Sequence, residues 1–277
     1  MFRTLLTIVT FIFPTFAFAQ SPDDASAADN LWEGRVDGAK LEQALAAYET
    51  SLAASPNDRH ALSRLVRGWY FYGDAFTDDA DTKIERWQKA IGFGNRCLAI
   101  NADFSAKVKS GEKEREAAST LQKDDVPCMY WTSTALGKWA KIQGITTTLK
   151  HVPTVKAYMS RVDELDPSYF NYGPARYWGA YYAALPGFAG KDLEKSKTYL
   201  AASIEGAPNY LGTRVIRADF LAPQQKDLAG FDADLKFVLE ADPNALPEIA
   251  PENTKEQEKA KKLIGKRGDL FVDAEGK

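Results

Sequence analysis

Chemistry on this chain would have to come from very few side chains. Its 277 residues include two histidines, His60 and His151, and two cysteines, Cys97 and Cys128. Neither histidine has a partner at metal-ligand spacing, and no HxxxH or HExxH arrangement occurs, so no metal site is expected. The acidic cluster Asp74, Asp78, Asp79 and Asp81 lacks the alternating ligands, glycine and closing glutamate of a calcium loop. It reads instead as a solvated inter-helix loop with an N-capping aspartate. Phosphate-binding glycine loops, nucleophile elbows and dinucleotide fingerprints are absent, so no cofactor is expected. Carboxylates abound, but none stands apart as an acid–base pair. The sequence does not read as an enzyme.

What the chain offers instead is aromatic surface. In Arg176–Lys191, RYWGAYYAALPGFAGK, the residues Tyr177, Trp178, Tyr181 and Tyr182 fall on one broad helical face. Such a stripe is either packing between helices or the wall of a groove with phenols as polar handles. The stretch then breaks at LPGFAGK, Leu185–Lys191, which stays apolar although Pro186 stops the helix and Gly187 and Gly190 permit positive φ. A second cluster, Trp69, Tyr70, Phe71 and Tyr72, also precedes a long turn. Trp178, Tyr181, Tyr182, Leu185 and Phe188 are therefore the candidate ligand- or partner-binding residues, with Leu185 and Phe188 expected at a cavity mouth or partner surface.

Those residues need a helical scaffold, and the pattern supplies one. From Leu31 onward apolar residues recur at helical spacing with no period-two strand, predicting an all-α chain of about ten to twelve helices. Pro56, Pro167, Pro208 and Pro243 each close an amphipathic stretch, and Pro208 to Pro243 spans 35 residues, near the tetratricopeptide period of about 34. A large residue stands eight places before each proline, at Tyr48, Met159, Leu200 and Leu235. Pro167 to Pro208 is longer, and LPGFAGK accounts for the excess as an insertion between two helices, followed by Asp192 as N-cap. Residues 31–277 thus read as a single domain of tetratricopeptide-like hairpins packed as an irregular α-solenoid or bundle. The small polar segment 20–30 is expected to be flexible.

Residues 1–19 carry Arg3, a short apolar run and the pattern Ala17-Phe18-Ala19, which together read as a secretory signal cut before Gln20. The apolar run is too short to span a bilayer, and Gln20 leaves no cysteine for a lipid anchor. A periplasmic protein without stable membrane insertion is expected. The net charge of −3 with no basic cluster makes nucleic acid a poor partner. In an oxidising compartment Cys97 and Cys128 either bridge or pack as two free thiols, and the sequence leaves both open.

The stretch LDPSYFNYGPARYWGAYYAALPGFAGKDLEKSKTYLAASIEGAPNYLGTRV (Leu165–Val215) resembles the TRAP transporter T-component family, also called TatT. The resemblance continues through Asp232–Ile264 and is weaker over Leu31–Phe104; YFNYGPARYWGAYYAALPGFAGKDLEKS and ALPEIAPEN are its most specific parts. It implies a periplasmic, non-catalytic, tetratricopeptide-like accessory of a TRAP transport system. Such a protein would bind the substrate-binding P component, in some members as a homotrimer, around a channel for small hydrophobic ligands. The alternative reading is a stand-alone periplasmic carrier of hydrophobic small molecules.

Overall fold

The computed structural model describes residues 24–272, and every regular element in them is helical. The residues read as an export signal, 1–19, lie outside the described residues. The chain opens with α1 (Asp24–Glu33), α2 (Gly38–Ala54), α3 (Arg59–Ala75) and α4 (Ala80–Leu98). Short α5 (Ala102–Lys109) and α6 (Glu114–Ala117) lead into α7 (Val126–Ile142), α8 (Ile145–Leu165), α9 (Tyr169–Ala184) and α10 (Leu193–Gly206). Next, α11 (Gly212–Ile216) runs through a π turn, Arg217–Leu221, into α12 (Ala222–Gln225). The last three are α13 (Leu228–Glu240), α14 (Ala250–Ile264) and α15 (Arg267–Leu270). Short helices at turns raise the number above ten to twelve, because a single turn of helix carries no readable period.

Polar caps and prolines set the boundaries. Asp37, Asp58, Asp79, Asn101, Asp192 and Asp227 each accept a hydrogen bond from a free N–H in the first turn they precede. One such cap contributes about 1 kcal/mol. The helices before Pro56, Pro167, Pro208 and Pro243 stop two or three residues short of the ring. Tyr48, Met159, Leu200 and Leu235, at matching distances before those prolines, are all buried.

Consecutive helices pack most closely, as the pairs α1/α2, α3/α4, α7/α8 and α9/α10, and α4 packs in turn on α7. Cys97 of α4 is joined to Cys128 of α7, with Cα atoms 6.0 Å apart. One hydrophobic core runs through α1–α4 and α7–α9, and a second lies among α11, α13, α14 and Phe271.

Two expectations are corrected. Most of the segment 20–30 is not a flexible lead but part of α1, because Ala28 and Trp32 are buried in the first core. Asp29 also accepts a hydrogen bond from the Tyr48 phenol. Composition alone hides these contacts. Asp74 is likewise not a solvated loop residue: it sits in the last turn of α3 between Lys138 and Lys259. Burial would raise its carboxyl pKa, but the two ammonium groups hold it far below the usual range. Asp79 caps α4 as expected.

Candidate functional site

Five long helices turn one face each toward a shared cavity of about 770 Å³, α8 doing so through Ile145, Thr148, His151, Val152 and Val155. On α3 the facing residues are Arg67, Tyr70, Phe71 and Asp74, spaced i, i+3, i+4 and i+7. From α7 come Tyr130, Trp131, Thr134 and Lys138; from α9, Arg176, Tyr177, Ala180 and Tyr181. Helix α14 closes the far side with Glu252, Glu256, Lys259 and Leu263, and Val215 and Phe220 add apolar surface nearby. The cavity therefore lies between the two hydrophobic cores. Its size is ordinary for a small-molecule site.

The aromatic wall centres on Phe170. Its ring lies 4.6 Å from that of Trp131 and 5.6 Å from that of Tyr210, while Tyr70 meets Trp131 at 5.4 Å. Reaching that place requires an uncommon backbone: Phe170, Asn171 and Tyr172 have φ values of 47°, 57° and 54°. Left-handed conformation costs about 1–2 kcal/mol for a residue with a Cβ. The turn is held from outside. Arg176 donates to the carbonyls of Phe170 and Asn171 at 3.1 and 3.0 Å, and Ser203 Oγ donates to that of Tyr172. Gly173 follows because the Tyr130 ring occupies the space of a side chain there; an added Cβ would fall 2.7 Å from it. Burial pushes the phenols of Tyr70, Tyr177 and Tyr210 well up, so they remain neutral hydrogen-bond donors.

Ion pairs fasten the far wall. Glu252 is held by Arg35, from the turn before α2, and by Arg67 of α3. Burial acts to raise its pKa, but Arg67 and Arg35 outweigh it and hold the carboxyl low. The neighbouring Asn253 accepts from the Leu211 N–H at 3.0 Å and donates to the Asn209 carbonyl at 3.0 Å. The end of ALPEIAPEN thus locks α14 to three separate parts of the chain.

The candidate residues are divided by the fold. Tyr181 and Leu185 line the cavity. Trp178 turns away into the first core, and Tyr182 stacks on Tyr199 of α10 at 5.9 Å. The stripe of four aromatics is wider than one helix–cavity contact, so the first core takes Trp178 and α10 takes Tyr182. Phe188 belongs to the turn between α9 and α10, is 82% exposed, and does not reach the cavity. Gly190 completes that turn at φ 101°, and Lys191 anchors it to Gln224 at 2.6 Å. Sequence reasoning missed Arg176, Tyr130, Trp131, Phe170 and Tyr210. For Arg176 a signal existed, since it is the lone charge in YFNYGPARYWGAYYAALPGFAG. Tyr130, Trp131 and Tyr210 come from segments distant in sequence, and Phe170, although within that stretch, is placed by its left-handed turn.

Fold and cavity together define an all-α protein of paired helices enclosing an aromatic-walled chamber, in which no described helix is long and apolar enough to cross a membrane. The chain belongs to the TRAP transporter T-component family, which matches residues 36–271 and so includes α2–α4, where the resemblance is weaker. That family is a transport accessory family. Among curated proteins, none matches this chain.

Proposed function

We propose that this protein is a non-catalytic periplasmic accessory of a TRAP-type transport system, one that binds a P-component partner and shelters a small hydrophobic ligand. Membership in the T-component family supports the association with transport. The observation that carries the ligand reading is the aromatic cavity between the two cores. In this reading Tyr181 and Leu185 contact the ligand, and the helix pairs are tetratricopeptide-like hairpins. The end of α7 and the start of α8 expose Ile142, Ile145 and Leu149, and the turn after α9 exposes Phe188. Exposed apolar side chains grouped at helix ends and turns fit a partner surface. A second reading, the stand-alone carrier, is favoured by one fact: helices of this chain form a cavity of about 770 Å³, ordinary for a small molecule.

Native mass spectrometry of protein isolated from the periplasm tests both. A co-purifying P component supports the accessory role, a retained small lipophilic mass without it supports the carrier, and recovery of neither sinks both. The same spectra read out a trimer. The partner surface has its own test in Phe188→Ser. Because Phe188 is already solvated, its melting temperature should stay within about a degree of wild type, as for other surface substitutions. Burying that ring at an interface contributes roughly 1.5–3 kcal/mol, so affinity for the P component should drop about tenfold or more. Unchanged affinity would remove Phe188 from the interface.

A further inference from the structure

The cavity wall contains a cation whose charge is not balanced by the protein around it. Arg176 is 4% exposed, and among the described residues no carboxylate pairs with it. The other buried arginine, Arg35, is matched by Glu252. Of the five N–H groups of a guanidinium, three donate to the Phe170 and Asn171 carbonyls and the Tyr130 phenol. Among the described residues the Nε–H and one Nη1–H have no acceptor. The guanidinium carbon lies 3.9 Å from the centre of the Tyr210 ring, a cation–π contact. Carbonyls, phenols and a ring can orient a cation, but they do not neutralise it, and buried charges are ordinarily paired.

The surroundings carry the same sign. Nine lysines and arginines line the cavity against six aspartates and glutamates, in a chain whose net charge is −3. Two of those carboxylates, Glu252 and Asp74, are each engaged by two cations. We propose that the cavity binds an amphipathic organic anion: a carboxylate seated on the free N–H groups of Arg176, with an apolar body along Trp131, Phe170 and Tyr177. One guanidinium balances one negative charge, which favours a carboxylate over a doubly charged phosphate. The proposal rests on the reading of this cavity as a hydrophobic ligand site and adds the head group.

The test displaces the neutral apolar fluorophore N-phenyl-1-naphthylamine from wild-type protein with decanoate or 1-decanol at neutral pH. A hydrogen-bonded charge pair formed out of water predicts that decanoate competes about tenfold or more better than the alcohol. Raising salt from about 0.05 M to about 1 M shrinks the Debye length to about 3 Å, yet should leave that preference in place, because Arg176 is buried. In Arg176→Gln the preference should fall toward unity. Equal competition by acid and alcohol overturns the anion proposal while leaving the apolar cavity standing. A preference abolished by salt assigns it to the surface lysines and overturns the role of Arg176. If the fluorophore does not bind, the hydrophobic-ligand reading itself fails. Should Arg176→Gln not fold, having lost its hold on the left-handed turn, the wild-type salt comparison decides the matter alone.

Discussion

Glu252→Ala should destabilise the folded protein by about 3–5 kcal/mol, since it strands two cations inside the structure. Arg35 is 1% exposed and Arg67 is mostly covered, so neither guanidinium can turn to water when the carboxylate is removed. Trp32 lies under both guanidiniums, at 4.9 and 5.2 Å, and would keep them in place without compensating the charge. The damage should also reach the cavity, because Glu252 fastens α14 across it to α3. Denaturant unfolding followed by far-ultraviolet circular dichroism measures the loss, and a change below about 1 kcal/mol would show that the two cores do not depend on this junction. The pH dependence follows from the sign of the shift. Glu252 and Asp74 are both held below the usual carboxylate range, so their contribution is complete above about pH 5 and is lost as pH falls further. The gap between wild type and Glu252→Ala should therefore narrow on acidification below that point.

Reducing the Cys97–Cys128 bond should lower stability by about 3.5–4 kcal/mol, the loop-closure entropy expected for a sequence separation of 31. Both sulfurs are fully buried, so the thiols that replace the bond would still pack in the core. Most of the change then arises in the unfolded chain, whose α5–α6 segment is no longer tied back. Unfolding with and without reductant gives the magnitude, and thiol titration of the denatured, unreduced protein checks the premise. Finding two free thiols per chain would remove this contribution entirely. Neither cysteine lines the cavity, so binding of an apolar probe should be unchanged in whatever fraction remains folded.

The helices themselves were legible in the sequence because their causes are local. Apolar spacing sets the buried face of a helix, a preceding aspartate sets its start and a proline sets its limit; Asp192, with the turn before it, was read correctly on those grounds alone. The family, too, was legible, through YFNYGPARYWGAYYAALPGFAGKDLEKS and ALPEIAPEN. What the pattern could not say was which neighbour each face would meet. Tyr177 and Tyr181 face the chamber while Trp178 and Tyr182 pack elsewhere, although all four lie on the same stripe. The left-handed turn at Phe170–Tyr172 was equally hidden, because bulky residues do not favour positive φ, and only Arg176, Ser203 and the space beside Gly173 and Gly206 sustain it. Along the chain Arg176 is only an isolated charge in an aromatic stretch. Its burial, its phenol and carbonyl partners, and its missing carboxylate arise only when α3, α7, α9 and the segment around Tyr210 converge. Periodicity and capping act within a few residues and can be read along the chain; the balance of charge inside a cavity is a sum over helices far apart in sequence, and only tertiary packing fixes it.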